Sequence, residues 1–324
     1  MKLVFLGTPE FACPSLDALV KAGHDVVGVV TRPDRPAGRG GRIAPPAVKR
    51  LALERGLALL QPEKVNRPES VDAIRRLEPD VLVVVAFGSI LKKPLLDIAP
   101  LGSVNVHASL LPAYRGMAPV QWTLVHGRRT TGVTIMLLDE GMDTGPVLER
   151  RVVEVDPVET AGELLGRLAL EGASLLLETL RGLAAGTLVP VPQPEEGATY
   201  APGLTKEHGY LDLERGCGES FDQFRGVTPA PGARVFLGSD AVLVEEMRPV
   251  PGPDGPPYTV LQAEGRHLRV AAGQGAVDLL GVRPPGRKSM DGAAFARGRK
   301  LGPGSRLSPP PSLPDLSVRV AVAR

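Results

Sequence analysis

Two cysteines in 324 residues, Cys13 and Cys217, are too few and too far apart to frame a disulfide-stapled fold or a paired-cysteine zinc site, so a reducing compartment is expected. Long apolar runs are also missing. No stretch nears the ~18 apolar residues that cross a bilayer, and the opening run "LVFL" stops at Gly7, short of the ~7–15 apolar residues of a secretion signal. The expectation is a cytoplasmic protein without a membrane partner. The first turn, "GTPEF", has one glycine where a dinucleotide fingerprint needs G-x-G-x-x-G to bring backbone amides against a pyrophosphate. That argues against an NAD-dependent enzyme and leaves a capped turn or a minor part of a pocket. No H-E-x-x-H or comparable histidine spacing marks a metal site, and no internal repeat is found. Glycine (38) and proline (33) are plentiful but lack a strict period, which means many turns rather than a fibre.

What is present is a chain that can bury a core. It is 43% hydrophobic and 23% charged, and its length suits two domains. "KLVFLG", "DVVGVVT", "DVLVVVAFG", "SVNVHA" and "TGVTIMLLD" are apolar without alternation, as strands buried on both faces of a largely parallel sheet are. Between the first two, Thr8 is placed to cap a helix that Gly23 closes; residues 47 to 55 also read as helical. Residues 161 to 185 carry a leucine stripe, with Thr160 and Glu163 at capping-box spacing and Gly186 as the stop. After a Pro- and Gly-rich connector the rhythm changes. "ARVFLG", "AVLVEEMRPV", "YTVLQAEG", "HLRVAAG" and "AVDLLGV" are short strands between turns, as in a small barrel. The expected layout is an α/β first domain over 1–189, a linker over 190–206, a small β-barrel over 207–307 and a flexible tail over 308–324.

The first candidate site is "VNVHASLLPAYRG". Side chains two apart on a strand share a face, so Asn105 and His107 point one way and Val104 and Val106 the other. The pair stands at a strand's carboxyl end, where ligands of open α/β sheets bind. An amide and an imidazole aimed at one spot suit an oxyanion, although a satisfied structural histidine would read the same. The second candidate is "LLDEGMDTGPVL", where Asp139, Glu140 and Asp143 could hold a carboxylate against His107, bind a divalent metal, or be solvated loop acids. Two stretches are basic. In 32 to 50, Arg32, Arg35, Arg39, Arg42, Lys49 and Arg50 face only Asp34, six minus one or +5. In 283 to 306, Arg283, Arg287, Lys288, Arg297, Arg299, Lys300 and Arg306 face only Asp291, seven minus one or +6. Each is either a solvated surface or a surface for phosphates.

"NVHASLLPAYRGMAPVQWTLVHG" followed by "TGVTIMLLDEGMDTGPVL" resembles the folate-dependent formyltransferases. The resemblance runs from "KLVFLGTPEFA" through "PDRPAGRGG", "VVAFGSIL" and "YAPGLTKEHG" to "GRKSMDGAAFARG", nearly the whole length. It implies a Rossmann-like catalytic domain with an OB-like carboxyl-terminal domain, and acyl transfer from 10-formyltetrahydrofolate, a co-substrate, without a metal. The implied acceptor is the α-amino group of methionine esterified to initiator tRNA. Relatives on the same sheet that formylate a small amine or nucleotide-sugar, or that hydrolyse the donor, are the alternatives; an RNA-binding protein with a dead catalytic domain is disfavoured because Asn105, His107 and Asp143 are all present.

Carried over by position, the resemblance implies that Asn105, His107 and Asp143 are the catalytic amide, imidazole and carboxylate. Ser109, Leu110, Leu111 and Pro112 become a folate-binding turn. Phe87, Gly88, Ile90 and Leu91, with Glu140 and Gly141, become walls of the pterin pocket. "PDRPAGRGG" becomes a tRNA-contacting loop in which Arg39, then Arg42, reaches the acceptor stem. A monomer is expected. The stretch "ERGCGESFDQFRGVTPAPGARVFLG" keeps a Pro-Gly-Ala turn but lacks the aromatic residues the family has nearby, and "YLDL" stands where a pattern ending in Trp is usual.

Overall fold

The computed structural model describes residues 1–37, 42–252 and 254–320. Five parallel strands form the first sheet, in the order Ser103–His107, Val81–Val85, Lys2–Gly7, Asp25–Val30 and Leu59–Leu60. Thr130–Leu137 adds antiparallel to Ser103–His107, and Val147–Glu154 adds antiparallel beyond it. Burial on both faces explains the unbroken apolar runs. Val81, Val83 and Val85 feed one core with Phe5 and Leu16, while Leu82 and Val84 feed the other with Val4 and Leu6. The chain winds outward from Lys2–Gly7 in one direction, then returns to Val81–Val85 and winds the other way. A ligand crevice is therefore expected outside the carboxyl ends of these two neighbouring strands, where Gly7 pairs with Val85.

The long helix covers Ala161–Ala184, and its capping box forms as the spacing required, with the Thr160 N–H donating to Glu163 at 2.8 Å. Gly172 lets this helix close on the strand below, since a Cβ there would come within 2.8 Å of Val106. Gly132 is tighter still. A Cβ would stand 2.1 Å from the Arg151 carbonyl oxygen and 2.5 Å from Leu110, so Gly132→Ala is expected to spread the strand pair and cost about 1–3 kcal/mol. A lower melting temperature checks this; an unchanged one would show that the edge of the sheet yields freely.

One local expectation is corrected. The first helix begins at Cys13, after a 3₁₀ turn at Glu10–Ala12, and has no side-chain cap. Thr8 turns away from it and donates its hydroxyl to the Phe87 carbonyl at 3.2 Å, tying the first turn to the next strand's exit. Pro14 explains the late start: with no N–H, it is tolerated only in a helix's first turn.

The second domain is an antiparallel sheet in the order Arg234–Leu237, Asp240–Val250, Ala276–Arg283, His267–Ala271 and Val260–Glu264. Residues 305–308 run between its two edges. The Val260 N–H donates to Ser305 at 2.8 Å, Leu307 to Tyr258 at 2.9 Å and Ser308 to Phe236 at 2.8 Å, which brings the edge strands together through a shared neighbour. The helix Cys217–Val227 seats this domain against the first: the buried Arg225 donates to the carbonyls of Asp156 and Glu159 at 3.3 and 3.2 Å.

Beyond residue 308 the chain returns to the first domain. Arg319–Val320 pairs with Thr199–Tyr200, and Tyr200–Ala201 pairs in turn with Arg115–Gly116, just past the "SLLP" turn. The Leu316 carbonyl accepts a hydrogen bond from His126 Nε2 at 3.0 Å. Burial holds His126 below the usual histidine range, so Nδ1 is left to accept from the Tyr114 hydroxyl at 3.0 Å.

Candidate active site

Asn105 and His107 share a face at the end of their strand. Across from Asn105 stand Val84 on one side and Met136 on the other, and across from His107 stands Thr134, while Val104 and Val106 enter the opposite core. Asn105 is 8% exposed and His107 6%. The Asn105 amide makes no hydrogen bond among the described residues, and it is not one of the sealed, unpartnered polar groups. It is thus an amide that still meets solvent and is free to receive a ligand.

His107 has a neighbour at each ring nitrogen. Nε2 lies 2.9 Å from the Tyr114 carbonyl, and since a carbonyl only accepts, Nε2 carries the hydrogen. Nδ1 faces Asp143, 3.6 Å from Oδ2. Asp143 Oδ2 also accepts from the Gly116 N–H at 2.8 Å. Both supports rest on unusual backbone. Tyr114 has φ +59°, Asp143 +56° and Ala86, at the exit of the neighbouring strand, +47°, a region that non-glycine residues seldom occupy. Such strain gathers where a fold aims groups at a ligand. At Tyr114 it aims the carbonyl at His107, and the Tyr114 N–H is fixed by donating to Thr199 Oγ1 at 2.8 Å.

The turn after the pair is fastened by two hydroxyls. Ser109, fully buried, donates to the Ala113 carbonyl at 2.7 Å; Thr134 donates to the Ser109 carbonyl at 2.7 Å and accepts from the Leu111 N–H at 3.1 Å. Leu111 is buried against Met136 and Val147. A ligand at this turn would therefore meet backbone and the partly exposed Leu110 and Pro112, since the Ser109 and Leu111 side chains face inward. The Phe87–Leu91 wall is similar. Phe87 and Leu91 are buried in the core beside Val84, whereas Gly88, at φ +80° beside the Arg32 guanidinium, Ser89 and Ile90 are exposed, Ile90 at 54%. Asn66 pins this wall from behind, donating to the Ile90 carbonyl and accepting from the Lys92 N–H, both at 2.9 Å.

In the acidic loop the three carboxylates have different roles. Asp139 folds the loop on itself, accepting from the Gly141 N–H at 3.0 Å and from Thr144 Oγ1 at 2.7 Å. Glu140 and Gly141 are exposed and line a cleft with Lys93, Leu96, Ser103 and Leu138, and Asp143 turns back towards His107. Among the described residues no group of three or more His, Cys, Asp or Glu side chains converges as a metal site would require. Among them too, no helix is long and apolar enough to cross a membrane.

The basic stretches are only partly free. Lys49 pairs with Asp34 and Arg50 with Glu10. Arg39 lies outside the described residues, and the Arg42 side chain likewise. In the second domain Arg283 pairs with Glu245 and Arg299 with Asp240, whereas Arg287, Lys288, Arg297 and Lys300 are exposed and make no ion pair among the described residues.

Sequence reasoning missed Thr134, Thr199, Gln193 and Asn66. Thr134 stands on the same strand face as the pair's neighbours, a parity signal that was available; the other three act across long stretches of chain and carry no local mark.

Residues 1–180 match the Formyl transferase family, and residues 203–300 match its C-terminal domain, "Formyl transferase, C-terminal domain". A methionyl-tRNA formyltransferase of Pelobacter propionicus is 47% identical over 305 residues, covering 94% of this chain and 95% of that protein. One of Geobacter sulfurreducens is 46% identical over 307 residues, covering 95% and 96%. Among solved structures, an N-formyltransferase from Helicobacter canadensis, in complex with folinic acid and dTDP-3-aminofucose, superposes with a TM-score of 0.66 over 86% of this chain and 99% of its own. At 16% identity that likeness concerns the fold alone. With both halves matched and nearly half of all positions shared along almost the full length of such relatives, the chain belongs to the methionyl-tRNA formyltransferase family.

Proposed function

We propose that this chain transfers the formyl group of 10-formyltetrahydrofolate to the α-amino group of methionine carried on initiator tRNA, as a monomer in the cytoplasm. The observation that carries the catalytic assignment is the free, nearly buried Asn105 amide beside the His107–Asp143 pair. The donor supplies an electrophilic formyl carbon, whose bond to the folate nitrogen breaks as the amine bonds to it. Asn105 donates to the formyl oxygen, which gains negative charge on attack. His107 Nε2–H is held by a neutral carbonyl at rest; an oxygen gaining charge is the stronger acceptor, so His107 donates to it most fully in the transition state. Asp143 balances the charge on the ring and receives the proton the amine must lose, directly or through water, while His107 gives one to the departing folate nitrogen, so that no net proton is gained or lost. The partly exposed Leu110 and Pro112 and the walls at Gly88–Ile90 and Glu140–Gly141 hold the pteridine. No metal takes part in this scheme.

The unpaired cations Arg287, Lys288, Arg297 and Lys300 support a phosphate-binding face on the second domain, and Arg39 and Arg42 are proposed to reach the acceptor stem. Contacts of this kind release counterions. Each such cation replaced by serine is expected to flatten the plot of log KM for charged tRNA against log salt by about 0.7–0.9, with donor binding unchanged. An unchanged slope after all four replacements would remove this face from the tRNA path. The function as a whole is tested by incubating the protein with formyl donor and, in parallel, charged initiator tRNA, free methionine, or no acceptor. Formylated tRNA alone is the expected product. Turnover on the small amine, or donor hydrolysis at an equal rate, would replace this reading with the small-amine or the hydrolase alternative.

A further inference from the structure

The stretch expected as a linker reaches into the catalytic cluster. Val191 exchanges two backbone hydrogen bonds with Val147, both 2.8 Å, and so fastens the connector to the edge of the first sheet. Two residues later the Gln193 side-chain amide donates to two carbonyls of the acidic loop, Asp143 at 2.9 Å and Gly145 at 2.8 Å. Its oxygen accepts from Arg115 Nε at 3.2 Å. This orientation is forced, because carbonyls only accept and a guanidinium only donates.

Arg115 is an unusual partner. It is fully buried, its Nη1 reaches Glu195 and the Tyr200 hydroxyl only at 3.4 Å, and its Nη2 is sealed without a partner. A buried charge so loosely paired costs stability, and a structure built for stability alone would replace it. The chain also turns directly from Arg115 to Gly116, whose N–H holds the Asp143 carboxylate. Asp143 is thus gripped twice: its backbone through Arg115 and Gln193, its carboxylate through the next N–H.

We infer that Gln193 is a positioning residue that sets the Asp143 carboxylate against His107, so that the connector, and not the catalytic domain's sheet alone, completes the reaction centre. The inference rests on the reading of Asp143 as the catalytic carboxylate. The left-handed φ of Asp143 gives the reason for such a grip: a residue in a sparsely occupied backbone region keeps it only if its surroundings hold it there. The two carbonyls on either side of Thr144 are the handles.

Gln193→Glu and Gln193→Met separate positioning from stability. Both remove the two donors. The glutamate also gives Arg115 a full counter-charge, so its melting temperature is expected to hold or rise while its activity falls. With enzyme in excess, both variants should lower the single-turnover formylation rate about 10- to 100-fold, the scale of a small misplacement of a catalytic group, with KM for donor and tRNA within about twofold. Placed on an Asp143→Asn background, where there is no charge left to aim, Gln193→Glu should change the residual rate by less than about threefold, the non-additivity of residues that act as a unit. Three results overturn the inference: a wild-type rate in both variants, losses that multiply with Asp143→Asn, or failure of both variants to fold, which would assign Gln193 to stability. A wild-type rate in Asp143→Asn itself would defeat the underlying reading of the carboxylate, and the role of Gln193 with it. That outcome is recognisable because it appears with Gln193 intact.

Discussion

Replacing Asn105 with alanine is expected to lower the rate of formyl transfer by about 10²–10³ while leaving donor affinity and melting temperature nearly unchanged. In the free protein this amide has no partner among the described residues and still meets water, so its removal breaks no internal hydrogen bond and leaves no protein group stranded. The strand beneath is set by Val104 and Val106 in the opposite core, which the substitution does not touch. The loss therefore falls on an interaction that reaches full strength only when the formyl oxygen carries charge, which lowers kcat rather than raising KM. His107→Ala should cost a similar factor, but less cleanly, because it also strands the Tyr114 carbonyl. Single-turnover rates with a donor titration check both. An Asn105→Ala enzyme within a few fold of wild type would remove the amide from the mechanism and leave the histidine to explain catalysis alone.

The parts of this fold that could be read from sequence are those fixed by neighbours. Val81–Val85 announces a strand buried on both faces because each residue feeds one of two cores, and Asn105 and His107 announce a shared face because strand parity is strict. The long helix was legible from its capping box and from Gly186, which takes φ +66° beyond its end. The parts that could not be read join distant segments through backbone atoms, which every residue possesses. A carbonyl at Tyr114 holding His107, or a connector amide holding Asp143, leaves no mark in residue type, since any residue could supply the carbonyl and glutamine is common in loops.

Charge counting is incomplete for a related reason. A window from 32 to 50 sees Asp34 but not Glu10, which lies outside it and takes Arg50, so +5 overstates what that stretch offers a phosphate. The second domain is the safer source of free charge, because four of its seven counted cations are exposed and make neither an ion pair nor a side-chain hydrogen bond among the described residues. Electrostatic footprints are properties of surfaces, and the surface is known only once the partners are placed.

Asp143→Asn is expected to cost about 10²–10⁴ in rate with the fold intact. Asparagine tolerates a positive φ, so the left-handed backbone at this position is not made harder to hold. Its amide oxygen still accepts from the Gly116 N–H, and its carbonyl still receives Gln193. What disappears is the negative charge 3.6 Å from His107 Nδ1, and with it the group that balances a charged ring and receives the amine's proton. Because binding and folding contacts survive, KM for the donor should stay within about twofold and the rate loss should appear in kcat, as expected for an interaction made mainly in the transition state. A chelator should have no effect on either enzyme. Activity abolished by chelation and restored by a divalent ion would instead make Asp143 a metal ligand, and an asparagine variant at wild-type rate would leave His107 working without a carboxylate.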